Sequence, residues 1–112
     1  MSDSKKVVSL ERLGNNGKIV KIKFVRDVPP ARSATYMAAA FNKCFKHGIY
    51  QIIVDMENIK TLKNDFIVTV IEATTKVRRK KGDIKIYNLT ESAKQAFAGF
   101  NAYSFLTFGS KE

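Results

Sequence analysis

The sequence predicts an α/β domain in which a mixed β-sheet of about four or five strands packs against about three helices. Two observations predict this class. Short apolar runs alternate along the chain with longer segments whose apolar residues recur every three or four positions. These segments follow the order β-β-α-β-α-β-α, with a further strand expected at the end. A helix between two strands indicates that the strands are parallel.

Two strands and a tight turn are predicted to begin the fold. Residues 7–12 alternate polar and apolar with period two, and residues 18–25 alternate more clearly. Asn15, Asn16 and Gly17 lie between them and favour a hairpin, because Asn and Gly tolerate positive φ. The same stretch lacks the spacing of a phosphate-binding loop, and it links two strands instead of a strand and a helix.

A helix is predicted to follow Pro29 and Pro30, which end the second strand. Lys46 and His47 lie in its expected last turn, and Gly48 is the expected left-handed residue beyond it. The spacing of six apolar residues is typical of one buried helix face. These residues are Ala34, Met37, Ala38, Phe41, Cys44 and Phe45.

The next strand is predicted over residues 50–56, with Asp55 near its end. The β-branched run that follows has strand propensity, but it continues into a basic segment and then Gly82. Cations in a last turn followed by glycine are typical of a helix end, so we predict a helix over residues 65–80.

The last third of the chain is predicted to contain a strand, a short helix and a final extension. Asp83–Tyr87 is the expected strand, and Thr90 is the expected N-cap of the helix. The buried face of that helix is expected to carry Ala93, Phe97 and Phe100. Residues 103–108 are aromatic-rich and are expected to form a final strand or a packed extension.

The length and composition are those of one domain. A chain of 112 residues has room for a single core, and a hydrophobic fraction of 45% is ordinary for a folded protein. No apolar run approaches the ~20 residues needed to span a bilayer, and no apolar signal segment follows the polar start. Cys44 is the one cysteine, which excludes an internal disulfide. We expect one domain over residues 1–112 and a cytoplasmic location.

The net charge of +10 is the most unusual bulk property of the sequence. It favours acidic partners, which include an acidic protein surface, an anionic membrane and nucleic acid. The charge also keeps a small protein in solution, so by itself it does not select among these partners.

The order of elements and the residues that form them resemble the STAS domain, the fold of bacterial anti-sigma factor antagonists and of the cytoplasmic tail of sulphate transporters. The similarity spans about residues 7–108. It rests on the apolar strand 52–56, Ile-Ile-Val-Asp-Met, which is similar to a family strand that ends in Asp-Leu. It also rests on the turn 57–62 at the family's spacing, on the strand 82–88 and on the second and third helices.

The sequence departs from this family at the start of the second helix. Typical antagonists carry Asp-Ser-Ser-Gly there, and the partner anti-sigma kinase phosphorylates the first serine. The corresponding residues are Lys63, Asn64, Asp65 and Phe66. Because Asn64 has no hydroxyl, phosphorylation at this position is chemically impossible.

Two interpretations of this segment stay open at the sequence level. In one, Asn64 and Asp65 do no more than cap the helix by accepting hydrogen bonds from its first backbone N–H groups. In the other, the loop and helix start dock to a partner in one fixed state. Phe66 is then an interface anchor if it is exposed and a core residue if it is buried. The expected contact residues are Lys60, Lys63, Asn64, Asp65 and Phe66.

A basic run near residue 80 is the strongest charge feature. Its members are Lys76, Arg78, Arg79, Lys80 and Lys81. In one interpretation the run is a solvated helix end, because the dipole of a helix favours cations at its C-terminal end. The run is also a candidate contact for nucleic acid or acidic lipid, although no RNA-recognition motif accompanies it.

No catalytic, cofactor or metal site is predicted. Cys44 and His47 are the one cysteine and the one histidine, whereas a zinc site of that type needs about four ligands. Lysines lie among the carboxylates that surround residue 60 and would compete with any hard cation for them. We therefore expect no enzyme activity and no cofactor.

The leading hypothesis is a non-catalytic protein-interaction module that is not switched at Asn64. The resemblance implies an anti-sigma factor, a related kinase or another STAS protein as its partner. The alternative is an accessory subunit of a membrane transport complex, where single STAS domains also occur. A nucleic-acid-binding protein that uses the basic run ranks third, and homodimer formation is left open.

Overall fold

The computed structural model describes residues 7–14 and 16–109, except for the side chain of Tyr103. In these residues, five strands and three helices follow one another in the predicted order, which confirms the α/β class. The elements are β1 Val8–Leu13, β2 Ile19–Phe24, α1 Pro30–Lys46, β3 Gln51–Asp55, α2 Asn64–Arg79, β4 Asp83–Tyr87, α3 Glu91–Gly99 and β5 Thr107–Phe108. The ambiguous segment after β3 is the helix α2, as predicted.

The strands form one mixed sheet, in which their order matches their order in the chain. β1 and β2 are antiparallel, whereas β2, β3, β4 and β5 are parallel. Crossovers between parallel strands are almost always right-handed, and here successive strands are neighbours in one direction, so the three helices are expected on one face of the sheet. Ile22 and Val54 face the helices and are fully buried. Lys21 and Ile53 alternate with them and lie on the opposite face.

The apolar core lies between the sheet and the helices. Burying one large apolar side chain stabilises a fold by about 1.5–3 kcal/mol, so the phenylalanines from four different elements contribute much of the stability. The largest fully buried side chains include Phe24, Phe41, Phe66, Phe97, Ile22, Met37, Ile52 and Met56. These residues come from the sheet, from each helix and from the loop after β3, so one core connects the described elements.

The hairpin between β1 and β2 confirms the predicted turn in part. Gly14 and Gly17 adopt positive φ angles of 83° and 66°. The side chain of Asn16 accepts a hydrogen bond from the Lys18 N–H at 3.1 Å. Asn15, which the prediction includes in this turn, lies outside the described residues.

The first helix ends as predicted. Gly48 follows the C-cap residue His47 and has a φ of 70°. The N–H of Gly48 donates to the Phe45 carbonyl at 3.0 Å, and the N–H of Ile49 donates to the Cys44 carbonyl at 2.9 Å. These two bonds are those of a Schellman motif.

The second helix ends one residue earlier than the glycine predicts. Lys81, with a φ of 66°, is the left-handed residue, and Gly82 does not have a positive φ. The N–H of Gly82 donates to Val77 and that of Lys81 donates to Arg78, which again forms a Schellman motif. The predicted helix end is therefore confirmed to within one residue, and Lys81 instead of a glycine supplies the left-handed residue.

The third helix agrees with its predicted start but not with its predicted buried face. The Thr90 hydroxyl accepts a hydrogen bond from the Ala93 N–H at 3.2 Å, which confirms the cap. Ala93 and Phe97 are buried, whereas Phe100 lies beyond the helix and is 36% exposed. Phe100 is therefore not a core residue. A short 3₁₀ turn at Ala102–Ser104 precedes β5, so the final strand is shorter than predicted.

Candidate functional site

The loop between β3 and α2 is held in place by Asp55, the last residue of β3. Its carboxylate is almost completely buried and accepts hydrogen bonds from the Glu57 N–H at 3.0 Å and from the Asn88 side chain at 3.1 Å. The Lys21 ammonium lies 3.8 Å from the other carboxylate oxygen. A buried carboxylate with these partners joins the loop to the end of β4 and to β2.

Three further hydrogen bonds fix the same loop to its neighbours. The Met56 N–H donates to the carbonyl of the last β4 residue at 2.9 Å. The Asn58 side chain donates to the carbonyl of the last β2 residue at 2.8 Å. The Thr90 hydroxyl lies 3.4 Å from the Ile59 carbonyl and joins the loop to the start of α3. Since Met56 and Ile59 are also buried, the first half of the loop is a rigid part of the fold.

The second half of the loop and the first turn of α2 are exposed. The structure brings together four of the five predicted contact residues, Lys60, Lys63, Asn64 and Asp65, and all four side chains are exposed. We call these four residues the α2-start surface. It carries two cations, one carboxylate and one amide on a support that the buried half of the loop holds in place.

The N-cap residue of α2 does not cap the helix with its side chain. Lys63 occupies the N-cap position in an extended conformation, with φ −104° and ψ 167°, and its side chain makes no capping hydrogen bond. Asn64 and Asp65 are already helical, so the prediction that they cap the helix is wrong. The charge of Asp65 lies in the first turn, where the helix dipole still stabilises it.

Phe66 is a core residue. Its side chain is fully buried, and its ring lies 6.4 Å from that of Phe24 in a tilted arrangement. Of the two roles left open for Phe66, interface anchor and core residue, the structure supports the core residue. Phe66 is therefore not part of the contact surface. Burial of this bulky apolar side chain also anchors the first turn of α2 to the core.

Arg78 differs from the rest of the basic run because its side chain supports the fold. Its Nε donates to Asp83 Oδ1 at 3.1 Å, and another guanidinium nitrogen donates to the Thr107 hydroxyl at 3.2 Å. The guanidinium also lies 4.8 Å from the centre of the Phe105 ring. Arg78 thus links α2 to both strands of the β4–β5 pair, and it is not a freely exposed cation.

The pKa of Asp83, the carboxylate partner of Arg78, is shifted by its surroundings. Burial by itself raises the pKa of this carboxyl. Three hydrogen bonds, from Thr107, from the Ile84 backbone and from Arg78, lower this pKa, and so does the positive charge of Arg78. Together these effects outweigh that of burial. The net effect lowers the pKa of Asp83 from its ordinary value of 3.8.

The other basic residues form a surface that the sequence run reveals only in part. Helices α1 and α2 are parallel because each connects two parallel strands, so their C-terminal ends lie at the same edge of the sheet. An open groove of about 760 Å³ between them is lined by Lys43, Lys46 and Lys76, together with Ala39, Asn42 and Phe45. Lys43 and Lys46 were missed, although their position in the last turn of α1 was a usable signal.

Cys44 and His47 do not form a reactive pair. Burial raises the pKa of the Cys44 thiol to about 11, so the thiol is protonated at neutral pH. The exposed His47 ring lies 2.9 Å from the Lys43 carbonyl through Nδ1. Within residues 7–14 and 16–109, no three His, Cys, Asp or Glu side chains converge as metal ligands do. No helix in that part of the chain has the length and apolar character needed to cross a membrane.

Solved structures show that this architecture is the STAS fold. A STAS-domain anti-sigma factor antagonist from Planctomyces limnophilus has a TM-score of 0.73 at 10% identity, over 94% of this chain and 91% of that one. The fold predicted from the resemblance is therefore confirmed. At this level of identity the similarity concerns the fold alone.

Two further structures have the same fold. A proposed anti-sigma factor antagonist of Thermotoga maritima has a TM-score of 0.80 at 8% identity and covers 94% of this chain and 86% of its own. The anti-sigma factor antagonist SpoIIAA in its unphosphorylated form has a TM-score of 0.74 at 11% identity, over 93% and 89%. No protein-family description matches the sequence, and no curated protein is significantly similar to it.

Proposed function

We propose that this chain is a non-catalytic protein-interaction module that binds a protein partner through the α2-start surface. The partner is an anti-sigma factor, a related kinase or another STAS protein. One observation carries the proposal. The buried half of the β3–α2 loop is fixed by Asp55 and Asn58, whereas the adjoining α2-start surface is exposed and charged. A rigid support under an exposed polar surface keeps the entropy lost on binding small.

The chemistry of Asn64 supports a binding state without a phosphorylation switch. SpoIIAA, which has the same fold, occurs in an unphosphorylated and a phosphorylated form. A phosphate adds a charge of about −1.5 to −2 at pH 7 and would lie at the positive end of the helix dipole. Asn64, the first residue of α2, has no hydroxyl to accept one. We propose that the surface stays in one charge state and binds its partner constitutively.

The state of the thiol supports a role without catalysis. Cys44 is the one cysteine, and its buried, protonated thiol is a poor nucleophile. His47, the one histidine, is exposed at the end of α1. Neither residue lies near the α2-start surface, since α1 and α2 end at the edge of the sheet opposite to the start of α2.

The proposal is tested by measuring partner retention with a matched pair of variants. Lys63→Ala/Asp65→Ala removes one charge of each sign from the α2-start surface. Glu11→Ala/Lys85→Ala removes the same charges from exposed positions on the other face of the sheet. Each anti-sigma factor, related kinase and STAS protein of the source cell is tested by titration against wild type and both variants.

The expected result is a partner that binds wild type and the Glu11/Lys85 variant but binds the Lys63/Asp65 variant at least tenfold more weakly. Truncating a charged side chain that becomes buried and paired in an interface costs about 2 kcal/mol or more, which exceeds the roughly 1.4 kcal/mol of a tenfold change. Equal affinities of both variants for every partner would contradict the proposed contact surface. Phe66 is left unchanged, because its truncation would remove a core side chain and confuse binding with stability.

A further inference from the structure

The exposed cations at the C-terminal ends of α1 and α2 form a concentrated positive surface. We call Lys43, Lys46, Lys76, Arg79, Lys80 and Lys81 the basic end; all six side chains are exposed. In the part of the chain that the structure describes, the ion pairs involve other residues, and no carboxylate lies within ion-pair distance of the basic end. Much of the net charge of +10 is therefore located at one edge of the molecule.

The helix dipoles explain where these cations lie but not how many there are. The C-terminal end of a helix is equivalent to about −0.5 elementary charge, so two helix ends provide about −1. Six cations exceed that charge by about five. Like charges at close range repel one another, so a surface of this kind indicates an anionic ligand large enough to contact several cations at once.

Exposed apolar side chains lie at the same edge. α3 also ends there, because β4 and β5 are parallel. Phe100 and Phe105 follow α3 and are 36% and 39% exposed. The Phe105 ring contacts the Arg78 guanidinium in the last turn of α2, which joins this apolar pair to the basic end. Cations beside exposed phenylalanines are typical of surfaces that bind the headgroup region of membranes.

The two aromatic rings that contact lysines of the basic end, those of Phe45 and Tyr50, are not open to stacking by nucleic-acid bases. Proteins that bind single strands stack bases on open aromatic faces. The Phe45 ring stacks on Tyr50 at 5.9 Å and has the Lys76 ammonium over it at 4.8 Å. The Lys80 ammonium lies 5.8 Å from the centre of the Tyr50 ring. These faces are therefore occupied by other groups of the protein.

The type of basic residue also favours a lipid surface over an acidic protein or nucleic acid. Five of the six residues of the basic end are lysines, which carry point charges on flexible apolar stems. Arginine is preferred for bidentate contacts of fixed geometry with protein carboxylates or nucleic-acid phosphates. Flexible point charges suit a fluid array of phosphates. We propose that the basic end, with Phe100 and Phe105, docks this domain onto the surface of an anionic lipid bilayer.

This proposal goes beyond the proposed function and does not depend on it. The 16 residues of α2 span roughly 24 Å, at about 1.5 Å per residue, between the α2-start surface and the basic end. A protein partner at one end of α2 therefore leaves the other end accessible. The variants that test the two proposals share none of their decisive residues.

The test is co-sedimentation of the full chain with vesicles of phosphatidylglycerol and phosphatidylcholine, compared with vesicles of phosphatidylcholine alone. Wild type should bind the anionic vesicles only, and added salt should weaken binding. Lys43→Gln/Lys46→Gln/Lys76→Gln should lower the partition coefficient about a hundredfold, because each cation near an anionic surface contributes about fivefold. Lys60→Gln/Lys63→Gln/Lys85→Gln removes the same charge elsewhere and should lower it much less. Circular dichroism confirms that each variant is folded.

Three outcomes would overturn the proposal. The first is no preference of wild type for the anionic vesicles. The second is an equal loss of binding in both triple variants, which would show an effect of total charge without a defined surface. The third is a single-stranded oligonucleotide or polyglutamate that binds at the basic end more tightly than the vesicles at the same salt concentration. Phe100→Ser should reduce vesicle binding several-fold at high salt, and unchanged binding would exclude apolar insertion.

Discussion

Lys63 lies at the N-cap of α2, although a lysine side chain cannot cap the start of a helix. It occupies the N-cap of α2 with an extended backbone, and its side chain cannot accept a hydrogen bond from the first N–H groups of the helix. The polar residues that could do so, Asn64 and Asp65, lie one and two positions too late. Sequence alone suggested them as caps because a helix boundary is uncertain by one or two residues.

Replacing Lys63 by serine should therefore stabilise the protein. Lys63→Ser should raise the free energy of unfolding by about 1 kcal/mol, because a serine at this backbone conformation can cap the helix. Urea denaturation followed by circular dichroism measures the change. Lys60→Ser serves as the control, since it removes the same charge from the same exposed loop without reaching the cap. Equal stability of the two variants would contradict the assigned cap position.

Asp83 is expected to make the stability depend on acid pH. Its pKa is lowered in the folded state, so the stabilisation that it provides is present above the unfolded pKa of about 3.9 and is lost as the pH falls through the folded value. Asp83→Asn should lower the free energy of unfolding by about 1 kcal/mol at neutral pH, since the ion pair with Arg78 is partly exposed. The difference from wild type should shrink as the pH falls below the unfolded pKa and through the lowered folded pKa.

Urea denaturation at neutral and acid pH tests this dependence on Asp83. Glu72→Gln is the matched control, because Glu72 is an exposed carboxylate in the middle of α2. Its effect should be within about 0.5 kcal/mol of zero at neutral pH. A constant difference between Asp83→Asn and wild type at all pH values would show that the hydrogen-bond geometry matters and that the charge does not.

At the scale of elements, the sequence pattern predicts the order and type of the strands and helices and the end of α1, but it does not predict which residue adopts the left-handed conformation that ends α2. The basic last turn followed by glycine identifies α2 in spite of its β-branched residues, and the structure shows that buried positions such as Phe66 and Val70 recur at helical spacing. The end of α2 depends on a contact between distant residues. Gly82 is required because the backbone of Tyr50 passes close to it, and the pattern of one segment does not contain that information.

The close approach at Gly82 gives a sharp test of this explanation. A Cβ added to Gly82 would clash with the Tyr50 carbonyl, which accepts a hydrogen bond from the Asp83 N–H at 3.0 Å. Gly82→Ala should therefore lower the free energy of unfolding by about 1–3 kcal/mol. The two nearest atoms that the added Cβ would meet are the carbonyl oxygen and carbon of the Tyr50 backbone, so a change of side-chain rotamer cannot relieve the clash.

Gly99→Ala is the control for this substitution. A Cβ at Gly99, the last residue of α3, would have no atom within 4 Å, and its φ is not positive. Alanine should stabilise this position by about 0.5–1 kcal/mol, because glycine loses more backbone entropy in a helix. Thermal or urea denaturation of both variants measures the contrast. A loss at Gly99 as large as that at Gly82 would refute the assignment of the effect to the Tyr50 contact.

At the scale of the whole molecule, the two candidate surfaces differ in how far the sequence predicts them. The α2-start surface lies within six consecutive residues, and the resemblance to a known fold directs attention to it. The basic end combines Lys43 and Lys46 with Lys76, about thirty residues later in the chain. Only the parallel alignment of α1 and α2 brings these cations together, so the charge run of α2 indicates four of the six residues of the basic end and misses the two from α1.

The concentration of charge at the basic end should also be measurable in the unbound protein. Two like charges about 10 Å apart in water repel by about 0.4 kcal/mol, and several such pairs occur within one edge of the fold. Lys43→Gln/Lys46→Gln/Lys76→Gln should therefore raise the free energy of unfolding by about 1 kcal/mol at low ionic strength. The gain should disappear in about 1 M salt, where the Debye length falls to about 3 Å.

Lys60→Gln/Lys63→Gln/Lys85→Gln distinguishes local crowding from total charge in this measurement. The control lowers the net charge by the same amount but removes cations that are distributed over two faces. If repulsion within the basic end governs the effect, the control should show less than half of the stabilisation and a weaker dependence on salt. If both variants respond equally, the net charge of +10 acts as a whole and the basic end is not electrostatically strained. Because this experiment contains no lipid, it tests the charge cluster separately from membrane docking.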